Sequence, residues 1–225
     1  EFRPEYLHAI EKISKWKKEA KLDACITLFS ATFTKQVEYG ILQYLDDIQT
    51  LGNKIESYNP IREHIDIEFV SSETTEKERS SDIVNLIKGW SFDPSKSKMI
   101  IFGRTRTSVE ETAEDLQRSL AISSEPELNS LAGHIAFYHA GMSKARREEV
   151  YEDFKAEDKI QILCATKAFG MGMDIPNIHY VIHIAPPSVL EDYLQEVGRV
   201  GRNEKMYRDA GFSVTRPLPA RCLYN

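Results

Sequence analysis

Apolar positions along the chain follow two rhythms, one of helices and one of strands. Tyr6, Ile10 and Ile13, with Leu7 beside them, stand at helical spacing between Pro4 and a basic end at Lys15, Lys17 and Lys18. This predicts a first helix, opened by a proline whose missing N–H does no harm there. The apolar run Ala24–Phe29 predicts a buried strand, and a helix follows from Thr34 to Leu45. Ile65, Ile67 and Phe69 alternate with polar residues, the period of a strand with one covered face. The polar stretch Ser71–Arg79 leads into a helix with Ile83, Leu86, Ile87 and Trp90 on one side, broken at Asp93-Pro94-Ser95. Strands are then predicted at Met99–Phe102, His134–Tyr138, Ile160–Ala165, Tyr180–Ile184 and Arg221–Tyr224. Between them, Thr107-x-x-Glu110 reads as a capping box opening a helix with Val109, Ala113, Leu116 and Leu120 inward. Ser143–Phe154 reads as a charged amphipathic helix, and Ser188-x-x-Glu191 caps one that Gly198 ends.

Such alternation predicts an α/β fold, a mostly parallel sheet with helices on both faces. Asp46-Asp47, Gly52-Asn53 and Asn59-Pro60 mark a connector, which puts a domain boundary near residue 55 and divides the chain into 1–54 and 55–225. No apolar run approaches the roughly 18 residues of a membrane span, and no secretory signal is visible. Composition is ordinary for a globular protein: 225 residues, 41% hydrophobic, 28% charged. The net charge of −6 argues by itself against a nucleic-acid binder. The charge is uneven, however. Arg199–Asn225 holds six basic and two acidic residues, so a locally positive groove can stand on an acidic body. Cys25, Cys164 and Cys222 are too scattered for a zinc site. Cys25 and Cys164 sit in apolar runs, as buried thiols of a reducing compartment do. The chain opens with Glu1 and its first methionine is Met99, so it reads as a piece of something longer.

In a parallel sheet, ligands bind beyond the carboxyl ends of the strands. Ser30–Thr32, Gly103–Arg106, His139–Met142, Thr166–Asp174 and Gly198–Arg202 are predicted to gather on that one rim. Arg199 and Arg202, each preceded by glycine, have the forked, permanently charged groups that stabilise charge on a transferring phosphoryl group. A solvated basic turn is the alternative. In Thr166–Asp174, Thr166 can donate to a phosphate and Asp174 can accept from a sugar hydroxyl, while Gly170 and Gly172 allow close backbone approach. A tight connection with Met171 and Met173 in the core is the alternative there. Gly103-Arg104-Thr105-Arg106 before a helix makes an anion site, or a solvated loop. Ser30 and Thr32 offer hydroxyls at a strand end, or a plain helix cap, and His139 after Tyr138 offers a ring to a ligand or is a histidine satisfied within its own loop. No G-x-x-x-x-G-K-[ST] loop and no D-E-x-H pair occurs in these residues.

Read in order, Ser30-Ala31-Thr32, the I-I-F-x-R-T-R of residues 100–106, Y-H-A-G-M at 138–142, A-T-K-A-F-G-M-G-M-D-I-P-N at 165–177 and Q-E-V-G-R-V-G-R at 195–202 resemble a superfamily-two helicase. The last two are similar to the RecQ branch, the 3′→5′ DNA helicases, and Phe2-Arg3-Pro4-Glu5-Tyr6 resembles the end of that branch's aromatic-rich loop. The resemblance implies a RecA-like second motor domain over 55–225 and the tail of the first over 1–54. It implies ATP with Mg²⁺ as cofactor, the Mg²⁺ ligands standing upstream, and single-stranded or partly duplex DNA as partner. By position, Arg199 and Arg202 would reach the γ-phosphate with Gln195 beside them, and Gly172 and Asp174 would meet the nucleotide. Phe2, Arg3, Thr105, Arg106, His139 and Thr166 would touch DNA, and Ser30 and Thr32 would couple hydrolysis to domain movement. Such helicases act in the nucleus or the bacterial cytoplasm. The 225 residues by themselves would then hydrolyse no ATP. Gly103-Arg104-Thr105, Tyr58–Arg62, Asn203-Glu204 and the long Glu204–Pro219 segment depart from the family's usual wording. Another superfamily-two motor, an RNA helicase or remodeller, and a non-catalytic nucleic-acid-binding module remain open on the residues alone.

Overall fold

The computed structural model describes residues 4–21, 62–72, 79–169 and 174–224. The chain divides into two compact units, Glu1–Tyr58 and Asn59–Asn225. In the first, Pro4–Glu19 forms helix α1. Its Ile10 is buried, but Ile13 and Trp16 are exposed, so the apolar stripe is covered only in part. The strand expected at Ala24–Phe29, the helix at Thr34–Leu45 and Cys25 lie outside the described residues.

In the second unit, β1 (Ile65–Ser71), β2 (Lys98–Phe102), β3 (Ile135–Tyr138), β4 (Ile162–Ala165), β5 (Ile178–His183) and β6 (Leu218–Tyr224) form one sheet. The order is β1-β6-β5-β2-β4-β3, and every pairing is parallel. All residues of β2, β4 and β5 are buried, as strands covered on both faces must be. β1 departs from its expected pattern. It is an edge strand, and Phe69 stays 56% exposed, with its ring 5.6 Å from that of Tyr193. β6 starts at Leu218 rather than Arg221, because β1 templates it from Ile65 onward.

Around the sheet stand α2 (Ser80–Trp90), α3 (Arg106–Ala121), α4 (Pro126–Leu131), α5 (Lys144–Lys155), α6 (Leu190–Val197) and α7 (Glu204–Asp209). α3 buries Val109, Ala113, Leu116 and Leu120, the stripe its spacing requires. Each large apolar side chain so buried contributes roughly 1.5–3 kcal/mol. Its cap is Thr105, not Thr107. Thr105 Oγ1 accepts from the Ser108 N–H at 3.0 Å and Ser108 Oγ accepts from the Thr105 N–H at 3.2 Å. The capping box therefore closes through Ser108 and releases Glu110 for another partner. α5 opens as expected at Ser143, whose hydroxyl accepts from the Arg146 N–H. α6 follows Val189 with no side-chain cap, so Ser188 does not serve as one, while Gly198 does end it. α4 and α7 are too short to show a period and went unpredicted. Pro126 starts α4, and Asn203 caps α7 through the Met206 N–H at 3.1 Å. Cys164 and Cys222 are buried free thiols, and burial pushes the Cys164 thiol up to about 12.

Candidate functional site

The parallel sheet gives the second unit two chemically different edges. At the carboxyl edge, Gly103 follows β2, His139 follows β3 and Thr166 follows β4. Backbone bonds tie these strand ends together: the Gly103 N–H donates to Ala165 O at 3.0 Å, and the Thr166 N–H donates to Tyr138 O at 3.1 Å. Arg104, Thr105 and Arg106 are exposed there, at the N-terminus of α3, and Thr166 is 9% exposed. Arg104 Nε donates to Pro186 O at 2.8 Å. Among the described residues no carboxylate pairs with Arg106. This leaves a cation and a helix N-terminus side by side on an open edge, an arrangement that suits an anion.

His139 is the histidine satisfied within its own loop rather than a ligand contact on that edge. It is 5% exposed, and both ring nitrogens are occupied. The Gly141 N–H donates to Nδ1 at 3.1 Å, which fixes the tautomer so that Nε2–H donates to Glu110 Oε1 at 2.6 Å. The ring lies parallel to that of Phe137, centroids 5.6 Å apart. His139 supports the loop and has no nitrogen left for a phosphate.

Gly198–Arg202, expected on the same rim, stands at the opposite one. β5 ends at the carboxyl edge, and the chain returns through α6, so the end of α6 meets the amino ends of the strands. The Gly201 N–H donates to the carbonyl of Ile178, the first residue of β5, at 2.9 Å. Asp174, which precedes β5, is at this edge too: Arg202 Nη1 approaches Asp174 Oδ1 at 3.4 Å. Thr166 and Asp174 therefore close the two ends of one crossover from β4 to β5, on opposite edges of the sheet.

The amino edge is a cluster of guanidinium groups. Arg199 is buried, and Arg199 and Arg202 line a shallow recess with Phe169, Ile175 and Ile178. Arg62 completes the cluster and carried no sequence signal beyond its place after Asn59-Pro60. Its Nη1 donates to Gly201 O at 2.8 Å and Val200 O at 3.2 Å, and its Nη2 to Gly198 O at 2.6 Å. One side chain thus holds the turn that carries both motif arginines. Burial lowers the pKa values of Arg62 and Arg199, and the charge of Arg202 lowers both further; all remain cations. The Arg202–Asp174 pair is exposed and stretched, so it contributes little and exchanges easily for a stronger anion. Gln195 is exposed on the last turns of α6. Behind the cluster, the buried Glu196 accepts from His183 Nε2 at 2.9 Å and locks α6 to β5. Phe2, Arg3, Ser30, Thr32 and Gly172 lie outside the described residues.

Residues 78–204 match the family described as helicase conserved C-terminal domain, more than half of the chain. ATP-dependent helicase SGS1 of Saccharomyces cerevisiae is 30% identical over 203 residues, 90% of this chain and 12% of that protein. ATP-dependent DNA helicase RecQ of Haemophilus influenzae is 41% identical over 105 residues, 47% of this chain and 15% of that protein. Probable ATP-dependent DNA helicase RecS of Bacillus subtilis is 26% identical over 205 residues, 91% of this chain and 36% of that protein. The chain thus spans a minor part of each of these relatives. A crystal structure of DUF1998 helicase MrfA bound to DNA shares the fold, with a TM-score of 0.51 at 20% identity over 71% of this chain and 20% of that one.

Proposed function

The chain belongs to the helicase conserved C-terminal domain family and is RecQ-like within it, and from that premise we propose that it is the second RecA-like motor domain of an ATP-dependent 3′→5′ DNA helicase, preceded in residues 1–54 by the tail of the first. The observation that carries this reading is the convergence of Arg62, Arg199 and Arg202 beside Asp174 at one edge. Burial, and after it the charge of Arg202, lowers the pKa of Arg62 and of Arg199, a repulsion that an anionic ligand relieves. A nucleoside triphosphate bound in a cleft with another domain supplies such an anion. ATP with its Mg²⁺ provides the phosphoryl group to be transferred. Arg199 and Arg202 would fork onto its γ-phosphate oxygens and offset the charge that builds there on hydrolysis. Asp174, with Gly172, would accept from the ribose, and Gln195 would act beside the arginines. Arg62 holds the turn so that both arginines are aimed before the ligand arrives.

The carboxyl edge takes the other partner. Arg106, Thr105 and Thr166 would meet the phosphates of a single DNA strand, with Phe2 and Arg3 as further contacts and Ser30 and Thr32 in the coupling segment. Backbone contacts of this kind read no sequence. Hydrolysis at one edge, against the neighbouring domain, then shifts a DNA-holding surface on the other. Arg202→Ala in the helicase that carries this domain is expected to lower DNA-stimulated ATPase by about 10³ or more, the scale of an arginine finger, with ATP binding retained. A rate within a few-fold of wild type overturns the assignment. Running the stimulation with single-stranded DNA and with RNA decides the nucleic acid.

A further inference from the structure

The loop after β3 carries a feature that the DNA reading of the carboxyl edge leaves unused. Glu110 reaches out of α3, one turn beyond its first residue Arg106, to take the Nε2–H of His139 at 2.6 Å. His139 in turn takes the Gly141 N–H on Nδ1, and its carbonyl accepts the Met142 N–H at 3.2 Å. Residues 139–142 are thereby locked in a closed turn. Gly141 presents its bare Cα to Arg106: a Cβ there would stand 2.8 Å from Arg106 Nη1 and 3.0 Å from its Cδ and Cζ. The guanidinium of Arg106 therefore lies over Gly141, in a bay that only glycine leaves open. Both ends of the arrangement belong to α3, whose first turn starts the arginine and whose second turn supplies the carboxylate.

We propose that Glu110 and His139 are positioning residues that fix the 139–142 turn so that Gly141 seats the Arg106 guanidinium for one phosphate of a DNA strand. Neither touches the DNA. This rests on the reading of Arg106 as a phosphate contact, and it assigns three residues whose effect on binding passes through that one side chain. A seated arginine loses less side-chain freedom when it meets its phosphate than one free in solvent, which raises affinity without a new contact.

The sign of the charge makes the proposal testable. Glu110 is an anion near a polyanion's binding edge, so its removal by itself should strengthen DNA binding. If it seats Arg106, its removal weakens binding instead. The experiment measures the affinity of the 225-residue chain for a labelled oligothymidylate by fluorescence anisotropy at low salt, with melting temperatures recorded for every variant. Arg106→Ala is expected to weaken binding about tenfold, the scale of one charge-assisted hydrogen bond. Glu110→Ala and Gly141→Ala are expected to weaken it several-fold. Glu110→Gln keeps an acceptor for Nε2–H and is expected to bind as wild type or better. In an Arg106→Ala background, Glu110→Ala and Gly141→Ala are expected to cost nothing more. The Gly141→Ala methyl group displaces only the movable end of a side chain, so this variant stays folded even if His139→Ala does not. Should Arg106→Ala leave affinity unchanged, the DNA reading of that edge falls. Should Arg106→Ala weaken binding while Glu110→Ala and Gly141→Ala do not, or should they weaken it equally with Arg106 absent, the positioning role falls and the DNA reading stands.

Discussion

His179 has no exposed surface, and its ring sits 2.9 Å from Ser97 Oγ through Nδ1 and 5.5 Å from the Phe212 ring. Burial pulls its pKa from 6.5 down to about 4, because an imidazolium would lose its hydration there. Between pH 6.5 and 4 the unfolded chain therefore binds a proton that the folded chain refuses. Stability attributable to neutral His179 is complete above pH 6.5 and is lost as the pH falls toward 4. The expected loss is up to roughly 3 kcal/mol at pH 4, since each tenfold difference in proton affinity between the two states is worth about 1.4 kcal/mol. Urea unfolding of wild type and His179→Gln across pH 7 to 4 checks this: the wild-type stability should fall more steeply, and parallel curves would refute it. Lys98 shows the same physics balanced differently. Its Nζ donates to Ala156 O and Ile160 O, both at 2.7 Å. Burial lowers its pKa to about 8, with Asp158 and Glu157 opposing, so it remains mainly charged at neutral pH while closing the end of α5.

The turn between α6 and α7 is the element that carries the arginine cluster of the amino edge. Gly201 stands at φ +60°, and a Cβ there would fall 2.2 Å from Leu218 Cδ1, in a fully buried side chain. Gly201→Ala is expected to destabilise the domain by about 2 kcal/mol or more, from the left-handed backbone and from overpacking. A thermal melt within a degree of wild type would show that Leu218 repacks freely. This turn also shows how far the sequence could be read. The glycines and arginines were legible as chemistry, and the central strands and the α3 stripe as periods. The edge of the sheet was misplaced, because a loop rich in glycine and arginine looks the same on either rim, and only the return path of α6 tells the two apart. Thr105 escaped as a cap because a Ser at the third position replaced the expected Glu. α4 and α7 escaped because six residues are fewer than two turns. Arg62 escaped because three backbone carbonyls leave no mark on side-chain patterns.

At the scale of the whole molecule, a net charge of −6 coexists with two cationic edges that the length of the sheet keeps apart. β5 is six residues long. At about 3.3 Å per residue, its ends are separated by roughly 20 Å. At 0.1–0.15 M salt, exposed charges act over only about 8–10 Å. The charges of the two edges should therefore respond to salt independently. For the 225-residue chain binding a single DNA strand, each neutralised phosphate contributes about −0.7 to the slope of log affinity against log salt. Arg106→Ala is expected to make that slope shallower by about 0.7, and Arg202→Ala to leave it unchanged. The same chain is expected to show no ATP turnover, because its residues include no G-x-x-x-x-G-K-[ST] phosphate loop and no D-E-x-H pair. An equal change of slope for both variants would mean that DNA spans both edges, and the division of labour across the sheet would have to be abandoned. A slope that responds to Arg106 alone is what this division of labour across the sheet requires.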